Sequence, residues 1–404
     1  MTGPWIDRRE FHPGAPRIDQ LVHDRAGFHT GAVTITPQTA QPGDWCDAER
    51  LWDRFLTTGT RWPAFRMVRE GTTLPRSRFT RRASVGSQRI EDLVEPNHVL
   101  ELYGGGATVV LQALQFSDPE FAMLSTNLAL DLNHPIQVNA YLSPRAARGL
   151  DIHFDFHDVV VAQLAGAKRW RVWQALPRSE RPLKRGPVVA QPSANELGTP
   201  LVDRVLEAGG CLTVPRGFPH AAETVDAEST HLTIGVMALT WSRVLRDRID
   251  QIASGTPLAD RLSLDATDDA GWPADRALKV LADGLGEDDL RHAIAEDVWR
   301  RQPQTRIRPR RPPQLGAGTR VRVTAGPLIW VDERMPTSRK PALALGDRRL
   351  RYPPACADFI AAILRSQDPF AATDLDSSLD LASRVVVLQR LAVEGVVEEV
   401  AVSA

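Results

Sequence analysis

Three features of the chain predict a mainly β domain followed by helical segments. Between Val99 and Val236, short segments rich in valine, leucine, threonine and aromatic residues alternate with glycine and proline turns, and no helix follows each of them. That rhythm argues against a doubly wound parallel sheet and for a sandwich or barrel, with a double-stranded β-helix, the cupin jelly roll, as the natural candidate. After Trp241 apolar residues recur at helical spacing, and beyond an arginine- and proline-rich break the last segment mixes helical with strand-like patterns. The expected organisation is a β domain with an N-terminal extension over 1–241, a helical region and Arg/Pro linker over 242–313, and a winged-helix-like domain over 314–404.

The elements follow in order. Residues 49–55 place Leu51, Trp52 and Phe55 on one face of a short helix. Residues 61–89 hold many arginines with Trp62, Phe65 and Phe79 among them, which reads as a solvated basic surface in preference to a polyanion site. Strands are expected over 107–114, 136–142, 150–156, 159–164, 168–173, 211–214 and 230–236. Helices are expected over 242–252, 275–285 and 288–299, the last opening on acidic residues that suit a helix start. Residues 300–313 form the linker, since proline lacks the backbone donor and ends helices. Beyond it, 319–325 and 328–331 read as strands, 357–366 and 381–394 as helices, and 396–402 as a terminal strand.

Composition narrows the function. With 404 residues, 43% apolar and 25% charged, the chain is a folded protein of two or three domains, and neither disordered nor collagen-like. Fifty acidic against 49 basic residues leave a formal net charge of −1, so no global field points to nucleic acid or to a membrane. The three cysteines, Cys46, Cys211 and Cys356, are far apart, which excludes a disulfide framework and a CxxC zinc pair and suggests a reducing compartment. The amino terminus lacks an apolar signal core, and no run approaches the roughly 20 apolar residues of a membrane span, so a cytoplasmic protein with no membrane partner is expected. Only Lys168, Lys184, Lys279 and Lys340 are lysines, which makes each of them unusual in an arginine-rich chain.

The chemistry is concentrated in two segments. Residues 150–158 (LDIHFDFHD) set His153, Asp155 and His157 at i, i+2 and i+4, so that on a strand these side chains share one face. Residues 213–220 (TVPRGFPH) deliver His220 from a rigid turn. Two histidines and one carboxylate form a facial triad that holds Fe(II) with positions left open, two for the keto and carboxylate oxygens of 2-oxoglutarate and one for O2. A structural zinc site would be closed and usually rich in thiolates. His157 competes with His220, but on a straight strand it would lie about 7 Å beyond Asp155, and it is assigned to support of the site or to substrate contact. His231 is assigned to packing around the site.

These residues resemble a known family. Residues 139–144 (NAYLSP), His153, Asp155, His157, Gln163, Gly166, Lys168, Trp170 and residues 215–220 (PRGFPH) look like the Jumonji-C ribosomal oxygenases, which are cupin-fold protein hydroxylases. The resemblance is close over residues 95–240 and vague before that. It implies that His153, Asp155 and His220 are the iron ligands, that Lys168 pairs with the distal carboxylate of 2-oxoglutarate, and that Asn139 and Tyr141 line the pocket. A buried dianion also needs a cation to offset its desolvation, which independently suits Lys168. The same resemblance implies a helical dimerisation region, a winged-helix module, and hydroxylation of an arginine or histidine side chain of a ribosomal protein.

Other readings are open. The substrate could be another protein or a natural-product peptide. A ligand-sensing cupin regulator would need a DNA-reading helix rich in basic residues, yet residues 374–402 offer only Arg384 and Arg390 among six acids, so DNA binding is disfavoured. A metal-dependent isomerase would fill more of the metal's sphere with histidines and acids than this motif does.

Overall fold

A computed structural model of the protein describes residues 32–36, 46, 48–57, 59–132, 134–177, 179, 190–254, 256, 258, 274–286, 290, 293–294, 297–298, 301, 314–323, 329–332, 342–345, 348–366 and 368–400. They fall into two compact units, one within Ala15–Thr240 and the other within Trp241–Ala404.

The first unit holds the β-rich segment. Its elements are β1 (Thr34–Thr36), α1 (Ala48–Thr57), β2 (Phe65–Arg69), β3 (Thr72–Thr73), β4 (Thr80–Val85), β5 (Gln88–Val94), α2 (Pro96–Gly104), β6 (Thr108–Leu111) and α3 (Pro119–Leu132). There follow β7 (Ile136–Ser143), β8 (Asp158–Ala165), β9 (Ala167–Val172), β10 (Val202–Glu207), β11 (Cys211–Val214), β12 (His220–Thr224) and β13 (Ser229–Val236). An eight-stranded antiparallel sheet runs β1-β11-β8-β13-β7-β6-β2-β3, and a smaller antiparallel sheet runs β10-β9-β12. From β8 onward the chain shuttles between the two, as a double-stranded β-helix requires, and residues of both sheets close one core around Val159, Val161, Trp170, Val172, Leu212 and Val214.

Side-chain alternation sorts the faces. Along β9, Lys168, Trp170 and Val172 are buried while Arg169 and Arg171 point outward. Along β7, Ile136, Val138, Ala140 and Leu142 occupy one face, while Gln137, Asn139, Tyr141 and Ser143 occupy the other. The turn from β8 into β9 is made at Gly166, whose φ is +62° and where an added Cβ would lie 1.9 Å from the Glu228 carbonyl oxygen. Gly166→Ala is therefore expected to destabilise the fold by about 3 kcal/mol, from a left-handed backbone plus a main-chain clash, read as a lowered urea midpoint with an unchanged slope.

Residues 150–156 do not form the expected strand. They make two isolated bridges, Leu150 with Gly71 and His153 with His220, the latter closed by backbone bonds in both directions at 3.2 and 2.8 Å, next to the bridge from Arg148 to Glu223. The ladder stops because its polar groups go elsewhere: the Phe154 N–H donates to Gln191 Oε1 at 3.0 Å and the Asp155 carbonyl accepts from the Gly217 N–H at 2.9 Å. The segment thus lies beside β12 as an irregular edge of the smaller sheet.

Helices α2 and α3 were not expected within the β-rich stretch. Helix α3 buries Phe121, Ala122, Leu124, Ser125, Leu128 and Ala129, so it lacks the narrow apolar stripe that marks a surface helix. Asp118 fixes its start, accepting from the Glu120 N–H at 2.9 Å and, through its other oxygen, from Arg50 and Arg54 of α1 at 2.7 and 2.8 Å. The aromatic residues of 61–89 divide as well: Phe65 and Phe79 are buried and packed 5.5 Å apart, and Trp62 stays exposed under the Arg76 guanidinium.

The second unit contains α4 (Trp241–Ala253), α5 (Ala274–Gly284), β14 (Val321–Val323), β15 (Ile329–Asp332), β16 (Ala342–Leu345), β17 (Arg348–Arg351), α6 (Ala357–Arg365), α7 (Leu381–Val393) and β18 (Val397–Glu399). Arg248 of α4 donates to the Gly284 carbonyl at 3.2 Å. Strands β14 and β18 pair, β15, β16 and β17 form a second antiparallel sheet, and Val321, Phe359, Ile363, Leu388 and Leu391 centre a core. Strands β16 and β17 lie in a stretch without alternation and were not expected. Of the helix expected over 288–299, the described residues Leu290, Ala293, Ile294, Asp297 and Val298 are helical; the rest of it, and nearly all of the 300–313 linker, lie outside the described residues. Among the described residues no helix is long and apolar enough to cross a membrane.

Candidate active site

The bridge between His153 and β12 sets two imidazoles side by side, with ring centroids 4.4 Å apart, and Asp155 projects beside them. One ligand atom each from His153, Asp155 and His220 lies within 4.8 Å of the others, the only such group of three among the described residues. Asp155 Oδ2 sits 3.6 Å from His220 Nε2. His153 Nδ1 faces the Asp151 carbonyl at 2.7 Å and His220 Nδ1 faces the Phe218 carbonyl at 3.0 Å. A carbonyl oxygen only accepts, so each Nδ1 carries a proton, and in the neutral rings the lone pairs are on Nε2.

Electrostatics supports the same arrangement. Burial, reinforced by His153, pushes the His220 imidazole down to about 4, so the ring is neutral at pH 7. Burial works to raise the Asp155 carboxyl, but the imidazoles of His220, His157 and His153 and the Arg66 guanidinium outweigh it and the net displacement is downward. The Nε2 lone pairs of two imidazoles and a carboxylate therefore lie within reach of one another. Nitrogen and oxygen donors without a thiolate fit a ferrous ion better than a structural zinc.

The other expected residues fall around this cluster. His157 rests against Gly235 of β13, where an added Cβ would meet its ring at 2.8 and 2.9 Å, and does not join the group of three. Lys168 is 2% exposed; its ammonium donates to Ser143 Oγ at 2.8 Å and faces His231 Nδ1 at 3.4 Å. Ser143 in turn accepts from Thr108 Oγ1 at 3.0 Å. Among the described residues Lys168 pairs with no carboxylate, and burial pushes it from 10.5 down to about 7. Burial and the Lys168 charge together hold His231 well below its ordinary value. Tyr141 stacks on His231 at 4.8 Å, and burial raises its phenol. Asn139 spends its amide oxygen on the Ala113 N–H at 2.9 Å and on Gln137 at 3.1 Å, which leaves only its NH2 group for a ligand.

A profile of the JmjC domain family matches residues 112–244. The chain contains a JmjC domain. Over 143 residues the chain is 37% identical to ribosomal oxygenase 1 of Danio rerio, covering 34% of this chain and 25% of that protein. Over 153 residues it is 31% identical to the bifunctional lysine-specific demethylase and histidyl-hydroxylase NO66 of Dictyostelium discoideum, covering 37% and 29%. The chain thus spans about a quarter of the length of these curated relatives. Among solved structures, ycfD of Escherichia coli aligns with a TM-score of 0.58 at 16% identity, over 94% of this chain and 98% of that one. A structure of YcfD, a ribosomal oxygenase from Escherichia coli, in complex with cobalt and 2-oxoglutarate aligns at 0.52 and 16% identity, over 92% and 95%. At that identity the likeness speaks for the fold, and the double-stranded β-helix expected from strand rhythm is the cupin-like fold of the JmjC domain.

The sequence missed several residues around this cluster. Thr108 stands opposite Ser143 only because β6 pairs with β7 through Val109 and Leu142, a register no local pattern reveals. Ser143 itself was legible, since alternation from Asn139 and Tyr141 puts it on their face. Arg66 belongs to a segment read as a solvated basic surface; β2 joins the large sheet, and Arg66, Val110, Tyr141 and His231 stand in one cross-strand row with Arg66 Nη2 3.5 Å from the Tyr141 hydroxyl. Three buried polar atoms in this region have no hydrogen-bond partner: Arg66 Nε, Gln163 Oε1 and Trp170 Nε1.

Proposed function

We propose that the protein is an Fe(II)- and 2-oxoglutarate-dependent dioxygenase that hydroxylates an arginine or histidine side chain of a ribosomal or other protein. The observation that carries this reading is the buried Lys168 ammonium without a counter-anion, in the same barrel as a three-donor cluster built for a cation. An unpaired buried charge costs several kcal/mol unless a ligand compensates it, so the pocket favours a dianion that bridges the two. The JmjC match and the ribosomal oxygenases among the relatives support the same choice.

In this reading His153, Asp155 and His220 hold the metal from one side, and the Nδ1 contacts to Asp151 and Phe218 keep both imidazoles turned with Nε2 toward it. Ferrous ion, when bound, supplies O2 activation coupled to decarboxylation of 2-oxoglutarate to succinate. Lys168, steadied by Ser143, draws in the remote carboxylate. Tyr141 and the Asn139 NH2 group line the wall, and the apolar core beneath Trp170 and Val172 keeps water from the closed end. Anaerobic addition of Fe(II) and 2-oxoglutarate should give a visible charge-transfer band, and turnover should release succinate; a missing band, or one that persists in Asp155→Ala, counts against the assignment.

A natural-product peptide is the alternative substrate, and mass spectrometry of ribosomal proteins and small peptides from cells with and without the chain, seeking the mass of one added oxygen, decides between them. The ligand-sensing regulator is less well supported. We take the C-terminal module as winged-helix-like with a protein-contact role, because Arg384 is spent on the carbonyls of Leu379, Leu375 and Ser377 and Arg390 pairs with Glu394, which leaves α7 no free cation for phosphates. A homodimer through residues 242–313 and a cytoplasmic location belong to the same reading; sedimentation of the full chain tests the former.

A further inference from the structure

Trp170 lies two residues beyond Lys168 on the inner face of β9, and it is 6% exposed. Its indole sits between two histidines of the pocket: the ring centroid is 5.6 Å from that of His231 at a near-perpendicular 82°, and 6.3 Å from that of His220. Its Nε1 is fully buried and has no hydrogen-bond partner. An indole N–H can only donate, and a buried donor left unmet costs about 1–3 kcal/mol. The edge-on contact with the His231 ring is a weak substitute for an acceptor oxygen.

Lys168, two residues away on the same strand face, is a donor too. Lys168 has three N–H bonds and two partners, Ser143 and His231. The Lys168 ammonium faces His231 Nδ1, so the proton of that neutral imidazole resides on Nε2. One strand face thus carries the Lys168 ammonium and the Trp170 indole, each with an N–H to which no acceptor is assigned. An occupant that satisfies both must present oxygen, and beside an ammonium that oxygen is best anionic.

We propose that the Trp170 indole N–H donates to the remote carboxylate that Lys168 draws into the pocket, so that the dicarboxylate is held by two donors of one strand. The proposal rests on the 2-oxoglutarate reading and adds a positioning residue to it. It also gives chain-length selectivity a structural source, since an oxo acid without the remote carboxylate leaves both donors unmet.

The test uses the full chain loaded with Zn(II), a diamagnetic stand-in that allows no turnover, with 15N-labelled indoles. Saturating 2-oxoglutarate should shift one indole N–H resonance downfield, the one absent from Trp170→Phe, and 2-oxobutyrate should not shift it. Trp170→Phe should weaken 2-oxoglutarate binding about tenfold and leave 2-oxobutyrate binding within about twofold. If Trp170→Phe does not fold, Trp170→Tyr identifies the resonance and the spectra of the unaltered chain decide. Binding of 2-oxoglutarate with no indole shift, or equal loss for both acids in the variant, overturns the role of Trp170 alone. Failure of the unaltered, metal-loaded chain to bind 2-oxoglutarate overturns the reading beneath it.

Discussion

Replacing Asp155 with alanine is expected to reduce divalent-metal affinity by more than a hundredfold while the fold stays intact. The two halves of that expectation have separate causes. The Asp155 main chain is anchored by its carbonyl to the Gly217 N–H, and alanine keeps that bond. In the unloaded protein the side chain lies 3.6 Å from His220 Nε2 and within the field of Arg66, and its loss removes no side-chain hydrogen bond among those described. The melting temperature should therefore fall only slightly, by the favourable electrostatics that hold the Asp155 carboxyl below its ordinary value. The metal, by contrast, loses its one anionic donor. Loss of a partner that merely orients a ligand costs 10–100-fold, and loss of the charged ligand itself exceeds that. Titration with Mn(II) followed by electron paramagnetic resonance reads the affinity, and Asp155→Glu should recover part of it. Unchanged Mn(II) binding in Asp155→Ala would show that the three-donor cluster is not a metal site.

Lys168→Met should stabilise the unloaded protein and nearly abolish 2-oxoglutarate binding. The drop from 10.5 to about 7 at Lys168 corresponds to roughly 5 kcal/mol between its charged and neutral forms, a measure of what burial without a counter-anion costs the ammonium. Methionine has a similar volume and no charge, so at pH 6 its melting temperature should exceed that of the parent chain, less whatever Ser143 loses as its partner. Binding of the dicarboxylate should fall by about 10²–10⁴-fold, the roughly 3–5 kcal/mol expected when one member of a buried ion pair is removed.

Acidity should tune the same site with a definite sign. Between pH 7 and 10.5 the unfolded chain retains the Lys168 proton that the unloaded native state has released, so this group makes stability rise with pH across that window, and Lys168→Met should flatten the rise. A bound carboxylate favours the ammonium form, so above pH 7 binding must take up a proton. Affinity for 2-oxoglutarate should then fall by up to about tenfold per pH unit, and calorimetry in buffers of different ionisation enthalpy should register the uptake. An affinity flat from pH 6 to 9 would place the carboxylate away from Lys168.

What the sequence revealed and concealed follows physical lines. Strand alternation made Lys168, Trp170 and Val172 one inward face, because a period of two is a property of the backbone and needs no tertiary knowledge. The same rule misled at residues 150–156, where the polar groups of Phe154 and Asp155 find partners in Gln191 and Gly217 instead of a neighbouring strand. Helix α3 escaped because most of its described side chains are buried, Ser125 and Thr126 along with the apolar ones, which blurs the narrow stripe that marks a surface helix. Arg66 and Thr108 reach the site through the order β7-β6-β2 in the large sheet, and pairing between strands that distant is invisible to local spacing.

The His153–His220 bridge has one more implication. Both imidazoles hang from main-chain atoms tied to each other, and main chain is the part of a protein that substitution leaves alone. The socket can therefore be re-equipped without being rebuilt: exchanging Asp155 for another donor should alter which ion prefers the place, much as changing a tool bit leaves the chuck untouched.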